Sequence, residues 1–523
     1  MKTTYIFLLA LILIAASSCK KTLQLSPEDS FGDANFWKNE AQITNYMVGL
    51  HNEFRNDQFQ FFRLGEMRGG GLTTEEAFTL SLQESPIIEQ RLEENVSGVN
   101  NWAGFYSPIL QINLFIQKVE AAGFLGDDKK KYLLGQAYAM RAYYYFHLLR
   151  TYGGVPLRLT PDVANGITDP VLLRMPRATE AEVLASVKSD VDKAVGSFGT
   201  ATAKGKGQWS PAAALMLKGE IYLWSAKVYG NTADLATAKT ALNAVTGTSL
   251  LPKFSDVFAY ANKKNSEIIF AISFMVNEAE MSTVSLFTYD LPGIAQDWYA
   301  DSLASAPKLT DPLNIGQVNS KQIIQRYRYS FRLFQSYDNL DQRKAATFYD
   351  LYKVDKTSGA PVVKVRNTVL RKFLGTFDAV TQKRYFSDDW PVYREADRLL
   401  MLAEIVNAEG GDPSPYIKAV RDRAFGGPGI DPAPFVNSSK DANELAIFTE
   451  RCKEFVHEGK RWYDLRRMKY GNEPLVFINA GHPFGVLNKA TQAYKILWPI
   501  DANVWTTDLL VNQTPGYATS KPE

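Results

Sequence analysis

Residues 133–157 read LLGQAYAMRAYYYFHLLRTYGGVPL and form the most informative stretch of the chain. One row of apolar side chains recurs at the three- and four-residue spacing of an α-helix, at Leu133, Ala137, Met140, Tyr144 and Leu148. A second row runs beside it, at Leu134, Tyr138, Ala142, Tyr145 and Leu149. Two apolar rows predict a helix that packs on more than one side, and Gly153-Gly154 predicts its end.

The same stretch carries a repeat signature. Leu134-Gly135 and Tyr138 match the L-G-x-x-Y core of a tetratricopeptide helix. Downstream, Ser210-Pro211 is an N-cap followed by a first-turn proline, which opens a helix that ends at Gly230. Further helices are predicted over residues 232–245, 393–409, 415–424 and 444–458. The succession of helix, short turn and helix predicts a mostly α fold on a scaffold of degenerate helix pairs.

Residues 250–390 show few helical periods. EIIFAISF, at 267–274, is a strand candidate, and RYRYSFRL, at 326–333, largely alternates Arg with aromatic or apolar residues. Interleaved Arg and aromatic residues can bind single-stranded nucleic acid, but an amphipathic strand with solvated arginines is the favoured interpretation. Long loops rich in Gly, Pro, Asn and Ser are predicted over residues 156–176, 283–320 and 425–442, and such loops often carry function.

The composition is that of an ordinary globular protein. The chain has 523 residues with 58 Lys and Arg against 56 Asp and Glu, a formal charge of +2, and 46% of its residues are hydrophobic. These values exclude collagen-like and wholly disordered chains, and the charge balance argues against a dedicated nucleic-acid binder. Two cysteines, Cys19 and Cys452, are too few for a disulfide-stapled fold.

The N-terminus resembles an export signal. Residues 6–16 are an unbroken apolar run of eleven residues, which is too short to span a ~30 Å hydrocarbon core but fits a signal peptide. Small residues precede Cys19, as in the lipobox of bacterial lipoproteins, although Ala16 stands where Leu is usual. We therefore predict a signal peptide over residues 1–18 and acylation of Cys19, which holds the body of the protein to a bilayer. The alternative is an ordinary signal peptide with an incidental cysteine.

Several motifs, taken in order, resemble the SusD/RagB family of Bacteroidetes outer-membrane lipoproteins. The matching segments span nearly the whole chain: 26–52, the W-x3-Y-x6-N pattern of Trp102, Tyr106 and Asn113, then 133–157, 267–270, 393–410, 420–426, 450–467 and 499–517. Two departures stand out. Lys20-Lys21 follow Cys19 where the family often has an acidic residue, and LGEMRGGG, at 64–71, has glycine where many members carry Asp.

The resemblance implies a fold of four helix-turn-helix repeats in a superhelical scaffold, with an irregular part that carries the ligand site. It implies an N-terminal region over residues 19–250 with the helix pairs, and a C-terminal region over residues 251–523 with the ligand loops. The implied role is capture of a glycan at the cell exterior and its delivery to a SusC-like TonB-dependent transporter. A peptide-binding subunit, or a pure lid for such a transporter, is the alternative, and a surface glycoside hydrolase is a third possibility.

No catalytic signature occurs in the sequence. It has no GxSxG elbow, no phosphate loop and no HExxH helix, and its four histidines are far apart in the chain. We therefore expect no enzyme activity, no cofactor and no metal. The charged block at 450–467 places Arg451, Glu454, Glu458 and Arg461 at helical spacing. We interpret it as an ion-pair network that pins the C-terminal helices rather than as a polar site.

Aromatic residues in the intermediate region are the ligand-binding candidates. Sugars present apolar C–H faces and a rim of hydroxyl groups, so a site needs aromatic planes and planar hydrogen-bonding side chains. The family's sugar platforms include aromatics from this region. Here the segment YDLPGIAQDWYADS supplies the candidates Gln296, Asp297, Trp298, Tyr299 and Asp301. The alternative is that Trp298 only anchors a loop.

A second aromatic cluster, Phe59, Phe61 and Phe62 in QFQFFR, is a secondary candidate that could face the transporter. The remaining tryptophans of the motif segments are predicted to pack in the core: Trp37, Trp102, Trp224, Trp390, Trp462 and Trp498. His147, on the Tyr-rich helix, is predicted to be a packing residue as well.

Overall fold

The computed structural model describes residues 36–73, 85–96, 102–202, 204–288, 298–299, 327–355, 362–381 and 383–521. Most of this part is helical. The α-helices are α1 (Glu40–Asn56), α2 (Gln58–Glu66), α3 (Ser85–Ile88), α4 (Ala103–Ala121), α5 (Asp127–Tyr152), α6 (Glu180–Phe198), α7 (Pro211–Val228), α8 (Asp234–Asn243), α9 (Phe331–Gln335), α10 (Gln342–Thr347), α11 (Glu395–Ala408), α12 (Ser414–Ala424), α13 (Lys440–Glu454), α14 (Arg461–Arg467) and α15 (Lys489–Gln492). Short 3-10 turns connect several of them.

The Tyr-rich segment forms α5, the longest helix in the described part of the chain, with 26 residues. Its side chains are buried on all faces from Tyr132 to Tyr152, apart from Leu134, which is half-buried. Asp127 and Asp128 stand in the first turn, where carboxylates interact favourably with the helix dipole, and Gly153 ends the helix at a φ of 74°. The predicted all-round packing is therefore confirmed.

Helix pairs build the scaffold. α5 packs between α4 and α6, α7 packs between α6 and α8, and α11 packs against both α12 and α13. Glycines allow the close approaches: a Cβ added to Gly135 would lie 3.0 Å from the Phe198 ring, and one on Gly219 would lie 2.5 Å from Leu242. Ser210 caps α7 as predicted, since its side chain accepts from the backbone N–H of Ala213.

Three predicted elements differ from the structure. The helix predicted from residue 393 begins at Glu395, because Trp390–Arg394 pairs as a strand first. The helix predicted over 444–458 runs from Lys440 to Glu454. The predicted Arg-rich strand at 326–333 is a two-residue strand followed by the short helix α9, and Arg328 is buried rather than solvated.

The strands form small antiparallel sheets. They are β1 (Leu72–Thr73), β2 (Ile268–Ile272), β3 (Trp298–Tyr299), β4 (Arg328–Tyr329), β5 (Phe348–Asp355), β6 (Val362–Leu370), β7 (Thr376–Asp378), β8 (Lys383–Tyr385), β9 (Trp390–Arg394), β10 (Lys469–Tyr470) and β11 (Glu473–Pro474). The pairs are β1 with β4, β2 with β9, β7 with β8 and β10 with β11, while β3, β5 and β6 form a three-stranded sheet in that order. The predicted strand at 267–274 is β2, and all five of its residues are buried.

Aromatic side chains fill the core between helices and strands. The predicted packing role of Trp102, Trp224, Trp390, Trp462 and Trp498 is confirmed, because all are buried. Trp37 is partly buried and packs against the same core. His147 is buried as well, with Nδ1 3.0 Å from the Tyr463 hydroxyl. Burial lowers the pKa of His147 well below its usual value, so the imidazole is neutral at physiological pH.

The charged block at 450–467 joins a buried ion-pair network, as predicted, through Arg451, Glu454 and Glu458. Arg461 is not part of it, because it contacts the Gly69 carbonyl oxygen and Cys452 instead. Arg394 is the centre of the network, with Nη1 2.8 Å from Glu267 and 2.7 Å from Glu454, and Nε 2.9 Å from Glu458. The expected stacking along one helix face is wrong, because α13 ends at Glu454 and Glu458 and Arg461 lie beyond it. The network instead joins distant segments, with further pairs Arg343–Glu450, Arg423–Glu267, Lys372–Glu458, Arg451–Asp397, Arg451–Asp464 and Arg467–Glu404.

None of the helices described above is long and apolar enough to cross a membrane.

Candidate functional site

A cavity of about 260 Å³ opens where the irregular part of the chain meets the C-terminal helices. Ligand pockets commonly have volumes of ~300–1,000 Å³, so this one is of a size to hold part of a small ligand. Four stretches contribute its walls: the turn after α2, the start of α9, α13 with the start of α14, and the loop before α15. The lining residues are Gly70, Gly71, Ser330, Arg332, Leu333, Ser336, Thr449, Cys452, Arg461, Pro483, Phe484, Gly485 and Val486. We call this cavity the glycine-turn pocket.

The turn after α2 contains three consecutive glycines, at 69–71, and we call it the glycine turn. It positions Arg461 at the pocket wall. A Cβ on Gly69 would lie 2.8 Å from Arg461 Cγ, so the arginine stem can lie against the turn only because this position has no side chain. Arg461 Nε donates to the Gly69 carbonyl oxygen at 2.6 Å, and Nη1 contacts Cys452 Sγ. Gly70 has a φ of +68°, a region that favours glycine. The turn therefore holds the guanidinium beside the cavity.

Arg332 contributes a second guanidinium. It is the second residue of α9, whose N-cap Ser330 accepts from the Arg332 backbone N–H at 3.3 Å. The side chain is exposed. Within the residues that the structure describes, no carboxylate lies within ion-pair distance of Arg332 or Arg461.

Phe484 supplies the aromatic wall. Its ring lies with its centroid 4.7 Å from that of Phe448 in an edge-on arrangement, and 5.9 Å from that of His482 in a stacked one. The ring is half-buried, so part of its surface faces the cavity. Hydroxyl groups of Ser330, Ser336 and Thr449 complete the lining.

A buried carboxylic acid lies close behind the glycine turn. Glu66 is the last residue of α2, and its Oε1 accepts from the His457 backbone N–H at 3.3 Å and from the Tyr329 hydroxyl at 3.4 Å. Burial raises the pKa of Glu66 to about 7, although the positive charges of Arg461 and Lys372 oppose the shift. Burial also lowers the pKa of His457 well below its usual value, so this histidine is neutral.

Comparison with known proteins identifies the family to which this architecture belongs. A family model described as "SusD family" matches residues 266–517, and one described as "Starch-binding associating with outer membrane" matches residues 23–223. A SusD superfamily protein from Bacteroides fragilis superposes with a TM-score of 0.84 at 37% identity, covering 92% of this chain and 100% of that one. The chain belongs to the SusD family. The family comprises glycan-binding proteins associated with the outer membrane.

Two other relatives match this chain over almost their full length. NanU of B. fragilis superposes with a TM-score of 0.79 at 32% identity, covering 95% of this chain and 100% of that one. SusD-like protein P38 of Formosa agariphila is 24% identical over 97% of this chain and 96% of its own length. The mostly α scaffold predicted from the sequence is therefore confirmed as the SusD fold.

The primary aromatic candidate of this SusD-family chain lies at a sheet edge. Trp298 and Tyr299 form β3, with backbones opposite Lys353 and Tyr352 of β5, and the structure describes only their backbone. Gln296, Asp297 and Asp301 lie outside the described residues. The expected loop is thus a short edge strand at this point, while the ligand role of these residues stays a prediction.

The sheet that holds β3 adjoins the pocket. Thr368 of β6 donates its hydroxyl to the Tyr329 carbonyl oxygen at 2.6 Å, and Tyr329 directly precedes the pocket residue Ser330. The strands β3, β5 and β6 pair in that order, and β6 contacts β4 of the neighbouring small sheet, so these contacts connect the Trp298 strand to the pocket wall.

The secondary aromatic candidates are corrected in part. Phe61 and Phe62 are 1% and 0% exposed and pack in the core, Phe61 against Tyr143 and Phe62 against His457. α2 turns these two rings inward, so neither can stack on a ligand or face a partner. Phe59 is half-buried beside Arg63, whose guanidinium lies 4.9 Å from the ring centroid.

Sequence reasoning missed the pocket residues Arg332, Arg461 and Phe484. It assigned Arg332 to a solvated strand and Arg461 to the ion-pair network, and it passed over Phe484. The triple glycine at 69–71 was noted as a departure from the family, and it is the signal that could have pointed to a nearby side chain that needs the space.

Other cavities and side-chain clusters are weaker candidates for a binding site. A cavity of about 440 Å³ lies beside α1 and β2, but its His51 is engaged, since Nδ1 lies 2.9 Å from the Met47 carbonyl oxygen and Nε2 accepts from the Trp209 backbone N–H at 3.2 Å. Among the residues in view, no group of three or more His, Cys, Asp and Glu side chains is arranged to hold a metal ion.

Proposed function

We propose that this SusD-family chain captures oligosaccharides at the cell exterior and passes them to a SusC-like TonB-dependent transporter of the outer membrane. The observation that carries the proposal is the pocket itself. It combines one aromatic face, Phe484, with hydroxyl and guanidinium groups, which is the combination that a sugar ring and its hydroxyls require. The family model over residues 23–223, described as starch-binding, supports a glycan rather than a peptide.

A binding role also fits the charges at the pocket better than hydrolysis does. Most glycoside hydrolases need two carboxylates at the scissile bond. Within the described lining there is neither Asp nor Glu, and the nearby Glu66 is buried and held by Tyr329 and His457. We therefore propose that the chain binds and releases its ligand unchanged. If the experiment below finds no bound glycan, a peptide-binding subunit and a lid without a ligand of its own are the functions that remain.

The test is glycan binding by the soluble chain that lacks residues 1–18 and carries Cys19→Ala. A glycan array identifies a ligand, and calorimetry measures its affinity for the parent and for Phe484→Ala. Removing a stacking ring at a binding hot spot costs ~2–4 kcal/mol, so we expect a loss of roughly 30- to 1,000-fold. Phe124→Ala is the matched control, because Phe124 is 47% exposed and outside the pocket. If no glycan on the array binds the chain, the proposal of glycan capture is refuted.

Trp298→Ala tests whether β3 extends the site. We propose that the ligand also stacks on Trp298, with Tyr299 and the neighbouring Gln296, Asp297 and Asp301 contacting hydroxyls. The expected result is lost affinity at an unchanged melting temperature. Unchanged affinity would confine the platform to Phe484, and a collapsed melting temperature would show that Trp298 is a core residue.

The partner is tested by mild detergent extraction. A binder held at one face of a membrane cannot move its ligand across it, so a transporter must receive the ligand. We expect a large TonB-dependent barrel to co-purify with the chain, because a lid that prevents leakage needs a large interface. Recovery of the chain alone under several gentle detergents would count against this partner.

A further inference from the structure

The charged side chains that line the glycine-turn pocket all carry the same sign. Its described lining contains two guanidinium groups, from Arg332 and Arg461, and neither a carboxylate nor an amide side chain. A guanidinium can only donate hydrogen bonds. A lining in which the charged groups are donors favours a ligand rich in acceptors.

Several buried arginines elsewhere in the chain are matched with carboxylates. Arg343, Arg394 and Arg451 each pair with two or more acids at 2.5–2.9 Å. The two pocket arginines have no such partner among the described residues. The positive charge of these two arginines is thus not paired with a carboxylate in the described part of the chain.

The groups around the pocket do not cancel this charge. Burial raises the pKa of the Cys452 thiol to about 11, so the sulfur beside Arg461 is uncharged at neutral pH. The acid near Arg461 is Glu66, whose pKa burial raises to about 7 and whose oxygen is bound to Tyr329 and His457. Lys372 also lies near Glu66, but it is paired with Glu458, so this ion pair adds no net charge.

On the basis of the proposed glycan capture, we propose that the glycine-turn pocket binds an anionic sugar unit, one that carries a carboxylate or a sulfate group. The oxyanion accepts hydrogen bonds from Arg332 and from the Arg461 amino group that is not directed at Gly69 or Cys452. Charge-assisted hydrogen bonds of this kind are about twice as strong as neutral ones. The Phe484 ring covers the apolar face of the sugar, and the hydroxyls of Ser330, Ser336 and Thr449 meet its rim.

The experiment uses the soluble chain on an array that holds neutral, uronate-containing and sulfated glycans. The strongest ligand is then compared by calorimetry with its neutral counterpart, made by carboxyl reduction for a uronate and by desulfation for a sulfated glycan. We expect the charged member to bind at least 10-fold more tightly, and its advantage to shrink between 50 mM and 500 mM salt as the charges are screened. The uronate and sulfate arms identify which oxyanion is bound.

Arg332→Gln separates a specific contact from a general charge effect. Losing a hydrogen bond to a charged group costs ~1.5–3 kcal/mol, so affinity for the charged ligand should fall roughly 10- to 100-fold, and by a clearly smaller factor for the neutral counterpart. Arg91→Gln is the charge-matched control, since Arg91 is 60% exposed and outside the pocket. The inference would be overturned if every glycan that binds on the array were neutral, or if the charged ligand and its neutral counterpart bound equally well. Glycan capture would still stand in both cases. Absence of any glycan binding would overturn both.

Discussion

Glu66 combines a titratable group with an enclosed position. It is 2% exposed, and its Oε2 has no hydrogen-bond partner within the described residues. Aromatic rings surround the position, since His457 packs on Phe62 with centroids 4.2 Å apart and also touches Phe287. An ionised carboxylate is costly in such surroundings, which is the physical cause of its raised pKa.

The pH dependence of stability should reflect Glu66. Its pKa is about 7 in the folded chain and 4.5 in an unperturbed carboxyl group. Between these values the folded chain keeps a proton that the unfolded chain has released, so stability falls as the pH rises through this window. Glu66→Gln cannot ionise, and we expect its free energy of unfolding to exceed that of the parent at pH 8 by on the order of 3 kcal/mol.

Urea unfolding at pH 4 and pH 8 checks this expectation. The advantage of Glu66→Gln should vanish at pH 4, where the parent carboxyl group is protonated in both states. Glu53→Gln, at an exposed position on α1, is the matched control and should behave like the parent at both pH values. An equal difference at the two pH values would contradict the assignment.

At the scale of single residues, the sequence predicted which side chains are buried better than it predicted where a polar side chain points. Apolar and aromatic side chains such as Trp224 and Trp498 are driven inward wherever the backbone takes them, so their packing follows from composition and period. The direction of Arg461 depends on a missing Cβ in a turn nearly 400 residues earlier in the chain. A long-range fit of that kind leaves no local pattern in the sequence.

At the scale of elements, the contact between α2 and the turn before α14 gives a sharp test. A Cβ added to Gly65 would lie 1.8 Å from the Gly459 carbonyl oxygen, a distance that forces the two backbones apart. We expect Gly65→Ala to lower the free energy of unfolding by at least ~1–3 kcal/mol, the usual cost of overpacking. Gly49→Ala is the control, because it is also a helical glycine and its added Cβ meets no atom within 4 Å.

The free energy of unfolding of the control, Gly49→Ala, should change in the opposite direction. Replacing an unobstructed helical glycine by alanine stabilises a protein by ~0.4–1 kcal/mol, since it reduces the freedom of the unfolded chain. Thermal unfolding of both variants therefore yields two shifts of opposite sign. Two shifts of the same sign would mean that the approach of α2 to Gly459 is not a constraint.

The sequence predicted the helices themselves, but it did not predict most of the short strands or the residues at which elements begin and end. The apolar rows of α5 and α7 repeat over several turns, so period alone identifies them. β9 and α11 follow each other without a break, and Tyr393 and Arg394 join the strand because β2 is available to pair with them. α13 ends at Glu454 although charges continue at helical spacing, because Glu458 pairs with Arg394 and Lys372 instead.

At the scale of the whole molecule, the predicted attachment to a membrane rests on residues outside the described part. The structure shows no membrane-crossing helix within its described residues, and Cys19 is the predicted site of acylation. We expect Cys19→Ala to move the chain from the membrane pellet to the soluble fraction, because acyl chains would be its anchor. Cys452→Ala is the control, since that thiol lies in the pocket wall. Full retention of Cys19→Ala in a membrane free of the transporter would contradict the prediction.

The overall fold followed from the sequence because the family motifs are spread along the chain in a fixed order. The glycine-turn pocket did not follow, because four stretches between residues 70 and 486 meet there. Their meeting depends on the packed scaffold, so no one segment carries the pattern of the site.

The ion-pair network also constrains the order in which the chain can fold. A growing chain presents its N-terminal segments first. Glu267 emerges well before Arg394 and Arg423, and Glu454 and Glu458 follow later still. A core that closed around the early members would enclose a charge without its counterpart, which is strongly unfavourable. The backbone shows the same dependence, since Trp498 donates to the carbonyl of Thr151 at the end of α5. We therefore expect the core around this network to close late in folding, after the segments that supply both signs of charge are present.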